Sequence, residues 1–169
     1  MRLCITGTPS TGKTTVSGML GMNFINLNDF ARNEGCMEGY DESRKSYIVN
    51  INCLKKRLKD YDNIVFESHY SHLVGCDIII VLRTSPKILK ERLKSRNYDD
   101  EKIMENLEAE AIGLITEESM EICRNVYEID TGKYGIDETV KIIREIIEGK
   151  GEKYRAGKID YMEEILEWY

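Results

Sequence analysis

No stretch of this sequence is apolar enough to span a bilayer. The longest such run, Cys76 to Leu82, is interrupted by Asp77 and falls far short of the roughly 20 residues a spanning helix needs. The beginning of the chain also lacks a basic region followed by a long apolar segment, so a soluble, unexported, cytoplasmic protein with no membrane contact is expected. There is no Cys-x-x-Cys pair among the five cysteines, Cys4, Cys36, Cys53, Cys76 and Cys123. Odd in number and scattered, with two inside strand-like runs, they read as reduced cysteines serving as small apolar residues. An excess of positive charge is missing too: the formal charge is −6 and the pI near 5.1. That balance excludes a protein that coats nucleic acid through phosphate contacts alone. A local basic pocket or a basic protein partner stays compatible with it. With 169 residues, no internal repeat and no low-complexity tract, the chain suits one well-buried domain with a small mobile insert.

Short β-rich runs alternate with helical patterns, the signal for crossover units and a parallel sheet. Strands are predicted at Arg2 to Thr6, Asn23 to Leu27, Asn63 to Glu67, Asp77 to Leu82 and Val126 to Ile129. The fourth, "DIIIVL", is apolar on both faces as a central parallel strand should be. Helices are predicted from Lys13 to Leu20, from Ser43 to Leu58, after the Ser85-Pro86 start signal, from about Asp100 towards Cys123, and from Ile136 to Glu148. The basic, glycine-rich segment "GKGEKYRAGK", Gly149 to Lys158, leads to a final amphipathic helix over 158–169 that docks on the body or serves as a partner-binding arm.

Between the first strand and first helix lies "GTPSTGKTT", the complete Gly-x-x-x-x-Gly-Lys-Thr phosphate-loop pattern. Backbone N–H groups of such a loop converge on phosphate oxygens, Lys13 adds a mobile positive charge, and the Thr14 hydroxyl is suited to ligate Mg²⁺. Ser10 stands where many nucleotide kinases have glycine, so its backbone either avoids a left-handed conformation or tolerates strain. The acidic partner such a loop requires is supplied by Glu67 at the end of "NIVFE", ordering Mg²⁺ through water. His69, two residues on, is a candidate for placing the attacking group. His69 and His72 form an H-x-x-H pair, but no further ligand cluster accompanies it, which weighs against zinc.

Phosphoryl transfer needs positive charge on the moving oxygens, and "ERLKSRNY" offers Arg92 and Arg96 just before a polar break that reads as a lid, about residues 95–105. The insert over about residues 26–50 is polar and long for an ordinary loop, so it is where a second substrate is expected, with Arg32 and Arg44 as phosphate ligands and Asp41 as a base or ribose contact.

Taken in order, "TGTPSTGKTT", "FINLNDFAR", "FESH", "VLRT", "ERLKSRNYDDEKIMENLEAE" and "YEIDTGK" resemble the adenylate kinase isoenzyme 6 family, also described as coilin-interacting nuclear ATPases and small-subunit ribosome assembly factors. The resemblance spans nearly the whole chain, and the "ESH" form is similar to the archaeal branch. It implies a P-loop NTPase fold of the nucleoside monophosphate kinase kind, with a five-stranded parallel sheet flanked by helices. It also implies the reaction of ATP with AMP to two ADP with Mg²⁺, ATPase activity, a part in small-subunit rRNA maturation, and a basic small-subunit ribosomal protein as partner. By position it assigns ATP contacts to Ser10, Gly12, Lys13, Thr14, Thr15, Arg96 and Lys133, and puts Glu67 and His69 on the family's acidic-x-His element. Many eukaryotic members have aspartate where Glu67 stands. Two other readings compete: an ATP-driven assembly switch in which kinase turnover is secondary, and a small-molecule kinase of the shikimate or gluconate kind.

Overall fold

The computed structural model describes residues 1–168. Its strands are β1 (Arg2–Thr6), β2 (Phe24–Asn26), β3 (Met37–Asp41), β4 (Ser46–Val49), β5 (Ile64–Glu67), β6 (Ile78–Arg83) and β7 (Val126–Asp130). Five of them form one parallel sheet in the order β2-β5-β1-β6-β7. The fold therefore answers to the expected five-stranded parallel architecture. Side chains alternate across the sheet: Leu3 and Ile5 enter one core with Val16, Ile80, Leu82 and Ile143, while Cys4 enters the other with Leu27, Leu54, Phe66 and Val81. A sheet buried on both faces needs apolar residues at consecutive positions, which is why "IIIVL" in β6 has no polar interruption.

The helices are α1 (Lys13–Met19), α2 (Leu27–Asn33), α3 (Ile51–Leu58), α4 (Pro86–Ser95), α5 (Asp100–Ile112), α6 (Leu114–Ile122), α7 (Ile136–Ile147) and α8 (Met162–Leu166). Pro86 takes the first position of α4 as the sequence suggests, yet the Ser85 hydroxyl makes no capping bond; its carbonyl accepts from Leu89 N–H at 2.9 Å. A separate small core of Leu89, Leu93, Ile103 and Leu107 joins α4 to α5.

Four expectations need correction. The helix predicted from Ser43 begins only at Ile51, because Asn50 caps it by accepting Cys53 N–H at 2.9 Å, and "SYIV" pairs antiparallel with β3. Tyr40 and Tyr47 meet edge to face across that hairpin, 5.2 Å between centroids, and Ile48 is exposed. The long helix predicted from Asp100 breaks at Gly113, whose φ of 67° ends α5. The C-terminal helix is only Met162–Leu166, because Gly157 and Ile159 direct their N–H groups to Glu128 instead of into a helix; Tyr169, the last residue of the predicted face, lies outside the described residues. Finally, the cysteines are paired rather than separate thiols: Cys4 with Cys76 and Cys36 with Cys53, at Cα separations of 5.9 and 5.6 Å, leaving Cys123 free. Each pair is distant in sequence and adjacent only once the core that holds all four has formed.

One buried ionic cluster ties these elements together. Arg83 at the end of β6 is 2% exposed; its Nε donates to Glu110 of α5 at 2.7 Å, Nη2 donates to the Glu110 carbonyl at 2.7 Å, and Nη1 donates to Glu128 of β7. A methyl at Gly113 would lie 3.5 Å from Arg83 Nη1, so the left-handed helix end fits closely over the guanidinium. Replacing Arg83 by Met leaves two buried carboxylates unpaired, and urea unfolding is expected to show a loss of roughly 3–5 kcal/mol. An unchanged unfolding midpoint would contradict this account of the cluster.

Candidate functional site

The loop from β1 to α1 is shaped by three backbone positions with positive φ, Gly7 at 144°, Ser10 at 69° and Gly12 at 99°. At Gly7 a Cβ would sit 2.5 Å from the Leu82 carbonyl oxygen, so no other residue fits there without moving β6. Thr8 donates its hydroxyl to Glu110 at 2.8 Å, and its carbonyl accepts from the Thr11 hydroxyl at 2.9 Å and from Lys13 Nζ at 2.8 Å. The loop is thus braced from inside, with the first N–H groups of α1, from Lys13 through Thr15, lacking helical partners. Ser10 resolves the alternatives left by the sequence: it is left-handed and buried, its hydroxyl has no partner in the protein, and its carbonyl accepts from Arg92 at 3.2 Å. Burial lowers the Lys13 pKa to about 8, with Glu67 and Glu110 pulling it back up and Arg96 pushing it further down.

Glu67 ends β5 directly beside Ile5 of β1 and Asn26 of β2. It is 1% exposed, and one carboxylate oxygen accepts from Thr14 Oγ1 at 2.8 Å and from Asn26 Nδ2 at 2.6 Å. A hydroxyl and a carboxylate in contact are hard oxygen donors of the kind Mg²⁺ takes, with its remaining places filled by water and phosphate. Thr14 and Glu67 are the residues that fit this ion. Among the described residues no cluster of three or more His, Cys, Asp and Glu side chains is arranged to hold a metal by itself.

The two histidines separate. His72 is buried, hydrogen-bonded through Nδ1 to Thr6 Oγ1 at 3.1 Å and through Nε2 to Glu118 at 2.8 Å, and is not part of a zinc pair with His69. His69 stays exposed to solvent on the cleft side, ring against Tyr70 at 4.9 Å. Partial desolvation on the cleft side, then the nearby Lys13, His72 and Lys102, lower its pKa, so it is neutral at pH 7.

The two arginines also have different placements. Arg92 spans the Ser10 carbonyl, the Thr84 hydroxyl and Thr131 of the loop after β7, at 3.1 to 3.3 Å. Arg96, at the C-terminal cap of α4, is exposed. Both line a cavity of ≈ 300 Å³ together with Ser10, Gly12, Thr131 and Tyr134. Lys133 follows β7 as expected, but its amine lies 5.2 Å from the Tyr134 ring centroid and lines a neighbouring cavity instead.

A further cavity of ≈ 470 Å³ opens between the core and the insert, lined by Arg32, Tyr47, His69 and Tyr70 among others. Tyr70 donates its hydroxyl to Asn28 at 2.7 Å. Of the other insert residues, Asp41 is committed to the hairpin turn, accepting from the Ser43 N–H and hydroxyl and the Arg44 N–H, and Arg44 does not line this cavity. The hairpin tip instead reaches the segment between α4 and α5: Lys45 Nζ lies 2.6 Å from Asp99, and Lys102 Nζ donates to the Arg44 carbonyl at 2.7 Å. Much of the segment expected as a lid, about residues 95–105, is helical, because α5 already starts at Asp100, where the Asp99 side chain accepts Lys102 N–H.

Sequence reasoning passed over Glu110, Arg83 and Tyr70. Glu110 sits in a helix rich in acidic residues and differs from its neighbours only in falling on the same face as Ile103 and Leu107. That inward phase was the available signal. Replacing Ser10 by Gly removes a left-handed penalty of about 1–2 kcal/mol at a cost of about 0.5–1 kcal/mol in chain entropy. A net stabilisation of roughly 0.5–1 kcal/mol is expected, read as a higher urea midpoint.

The chain matches the AAA-domain family over residues 3–113. A protein of Archaeoglobus fulgidus described as "Putative adenylate kinase" is 39% identical over 171 residues, covering 98% of this chain and 94% of that one. One of Pyrococcus abyssi with the same description is 40% identical over 168 residues, covering 96% and 92%. Among solved structures, shikimate kinase from Acinetobacter baumannii in complex with shikimate superposes with a TM-score of 0.60 at 15% identity, covering 88% of this chain and 93% of that one. Deoxyadenosine kinase from M. mycoides with bound dATP gives a TM-score of 0.58 at 16% identity, covering 88% and 100%. Identities this low speak to the fold alone, whereas the archaeal likeness runs almost from end to end. The chain belongs to the AAA-domain family, with a P-loop kinase fold, and to the family that these archaeal proteins form.

Proposed function

We propose that this kinase transfers the γ-phosphoryl group of ATP to a nucleoside monophosphate, with AMP the first acceptor to test. The observation that supports this most is a pair of cavities, one at the phosphate loop and one at the insert. One, ≈ 300 Å³, is walled by the loop itself with Arg92 and Arg96; the other, ≈ 470 Å³, is walled by the insert with Arg32 and His69; they share no lining residue. Two nucleotides meeting at Lys13 and Glu67 would fill such an arrangement.

The chemistry of the site favours an acceptor that brings its own anionic oxygen. His69 is exposed and packed only against the Tyr70 ring, and Glu67 is already engaged by Thr14 and Asn26, so neither is set as a base against an alcohol. A monophosphate needs no such base, while a shikimate-type hydroxyl acceptor does. In this reading Lys13 and Arg96 supply positive charge to the oxygens of the moving phosphoryl group, and neutral His69 orients the acceptor by hydrogen bonding. Arg92 positions the loop through the Ser10 carbonyl. Mg²⁺, when bound at Thr14 and Glu67, neutralises phosphate charge. The adenine contact assigned to Lys133 becomes one through its loop, where Thr131 and Tyr134 line the donor cavity. ATPase activity, rRNA maturation and a small-subunit ribosomal partner rest on the isoenzyme 6 resemblance alone.

A coupled assay with ATP and each monophosphate is expected to give ADP with AMP well above the rate with ATP alone; equal rates would sink the proposal. Lys13→Ala is expected to lower turnover by roughly 100-fold or more with the fold retained by circular dichroism. The pH profile adds an independent check. Because the pKa of Lys13 is lowered in the free enzyme, its ammonium persists below about 8 and is lost above it. kcat/KM for ATP should therefore decline with an ionisation near pH 8, and a profile level to pH 10 would argue against Lys13 as the phosphate cation.

A further inference from the structure

The segment Gly149 to Lys158 takes no part in the cleft, yet it is stitched firmly to the sheet. Ala156 N–H donates to the Val126 carbonyl at 3.0 Å, Gly157 N–H donates to Glu128 at 2.9 Å, and Arg155 forms an isolated antiparallel bridge with Tyr127. Between this segment and the loop after β7 lies a cavity of ≈ 320 Å³ walled by Lys133, Lys153, Arg155 and Lys158 with Tyr134 and Tyr154. In a chain of formal charge −6, four cations converge on one small volume. The carboxylates at its wall offset them only in part: Glu128 is matched by Arg83, which leaves Asp130 as one unpaired negative charge against the four cations.

Two of the ammonium groups are held in place before any ligand arrives. Lys133 Nζ lies 5.2 Å from the Tyr134 ring centroid and Lys153 Nζ 5.1 Å from that of Tyr154, while the two rings meet edge to face at 6.3 Å. Such cation–π contacts reduce the side-chain freedom that an anion would otherwise have to remove. Arg155 is committed to the Arg124 carbonyl at 2.8 Å and to Glu152 at 3.4 Å. The cations left to meet a ligand are therefore lysine point charges, which suit phosphate better than they suit bidentate recognition of a planar carboxylate.

We propose that this cavity is a second phosphate-ester site, taking a nucleotide unit either free or within a single-stranded nucleic-acid chain. Its volume accommodates one such unit, and the tyrosine rings offer surface for a base. Tyr134 also lines the ≈ 300 Å³ cavity at the phosphate loop, so the two sites share a wall.

The test is fluorescence anisotropy of the full chain with a fluorescein-labelled uridine decamer, which requires no turnover and so stands apart from the kinase assay. Wild type and Lys13→Ala are expected to bind alike, whereas Lys153→Glu with Lys158→Glu should weaken binding at least tenfold. Affinity should fall with salt at a log–log slope of about −2, as three neutralised phosphates require. Displacement by UMP would identify the free nucleotide as the source, and displacement only by unlabelled decamer the strand. Lys158→Gln alone, at an exposed side chain, should weaken binding about threefold and guards against misfolding of the double variant. Absence of binding to wild type, equal binding by the Lys158→Gln and double variants and wild type, or loss in Lys13→Ala would each overturn the proposal.

Discussion

The guanidinium of Arg83 keeps its charge at any pH the protein meets, and it has almost no access to water. Its surroundings must therefore supply what water would have supplied. Glu110 and Glu128 do so from two different elements, and the Thr116 hydroxyl donates to Glu128 at 2.8 Å beside them. Every group that satisfies Arg83 is itself satisfied by something else. The second oxygen of Glu110 accepts from Thr8 in the phosphate loop, its first also accepts Thr84 N–H at 3.0 Å, and Glu128 holds Gly157. One buried charge thus connects the phosphate loop, helix α5, the edge strand and the C-terminal segment. Desolvated pairs of this kind add little net stability over a well-packed apolar cluster, but losing one partner is costly, so the elements are bound to move together.

That connection bears on the site's electrostatics. Lys13 is pulled down in pKa by burial and up by Glu67 and Glu110, so the carboxylate that anchors Arg83 also helps to keep the phosphate-loop lysine charged. His69, on the same cleft, has no carboxylate partner to offset its desolvation and stays neutral. Two neighbouring basic groups thus keep opposite protonation states at neutral pH, one a cation and one a hydrogen-bonding ring, although burial lowers the pKa of both.

Features set by local chemistry were legible in the residues. The alternation of strand and helix signals, the unbroken apolar run of β6 and the glycines of the phosphate loop each follow from constraints a few residues wide. So does the placement of Glu67 at a strand end, next to Thr14 in space. What escaped depends on partners far along the chain. "SYIV" is too short for its period to prevail over the helical pattern that follows, and only pairing with β3 makes it a strand. Gly113 reads as a tolerable glycine within a helix until Arg83 is placed beneath it. Arg83 itself looks like the polar end of a strand, and Glu110 like a helix surface charge, until the sheet order brings them together. The cysteine pairs likewise join residues 72 and 17 positions apart.

The contacts between the hairpin tip and the start of α5 change the topology of the cleft. A jaw with two separate arms can admit a substrate from the side at any time, but arms joined at their tips make a ring. The Lys45–Asp99 join is an exposed ion pair, screened by water and weakened by salt. The ionic strength of the solution, rather than the chemistry inside, therefore sets how strongly this charged part of the contact between the two arms holds.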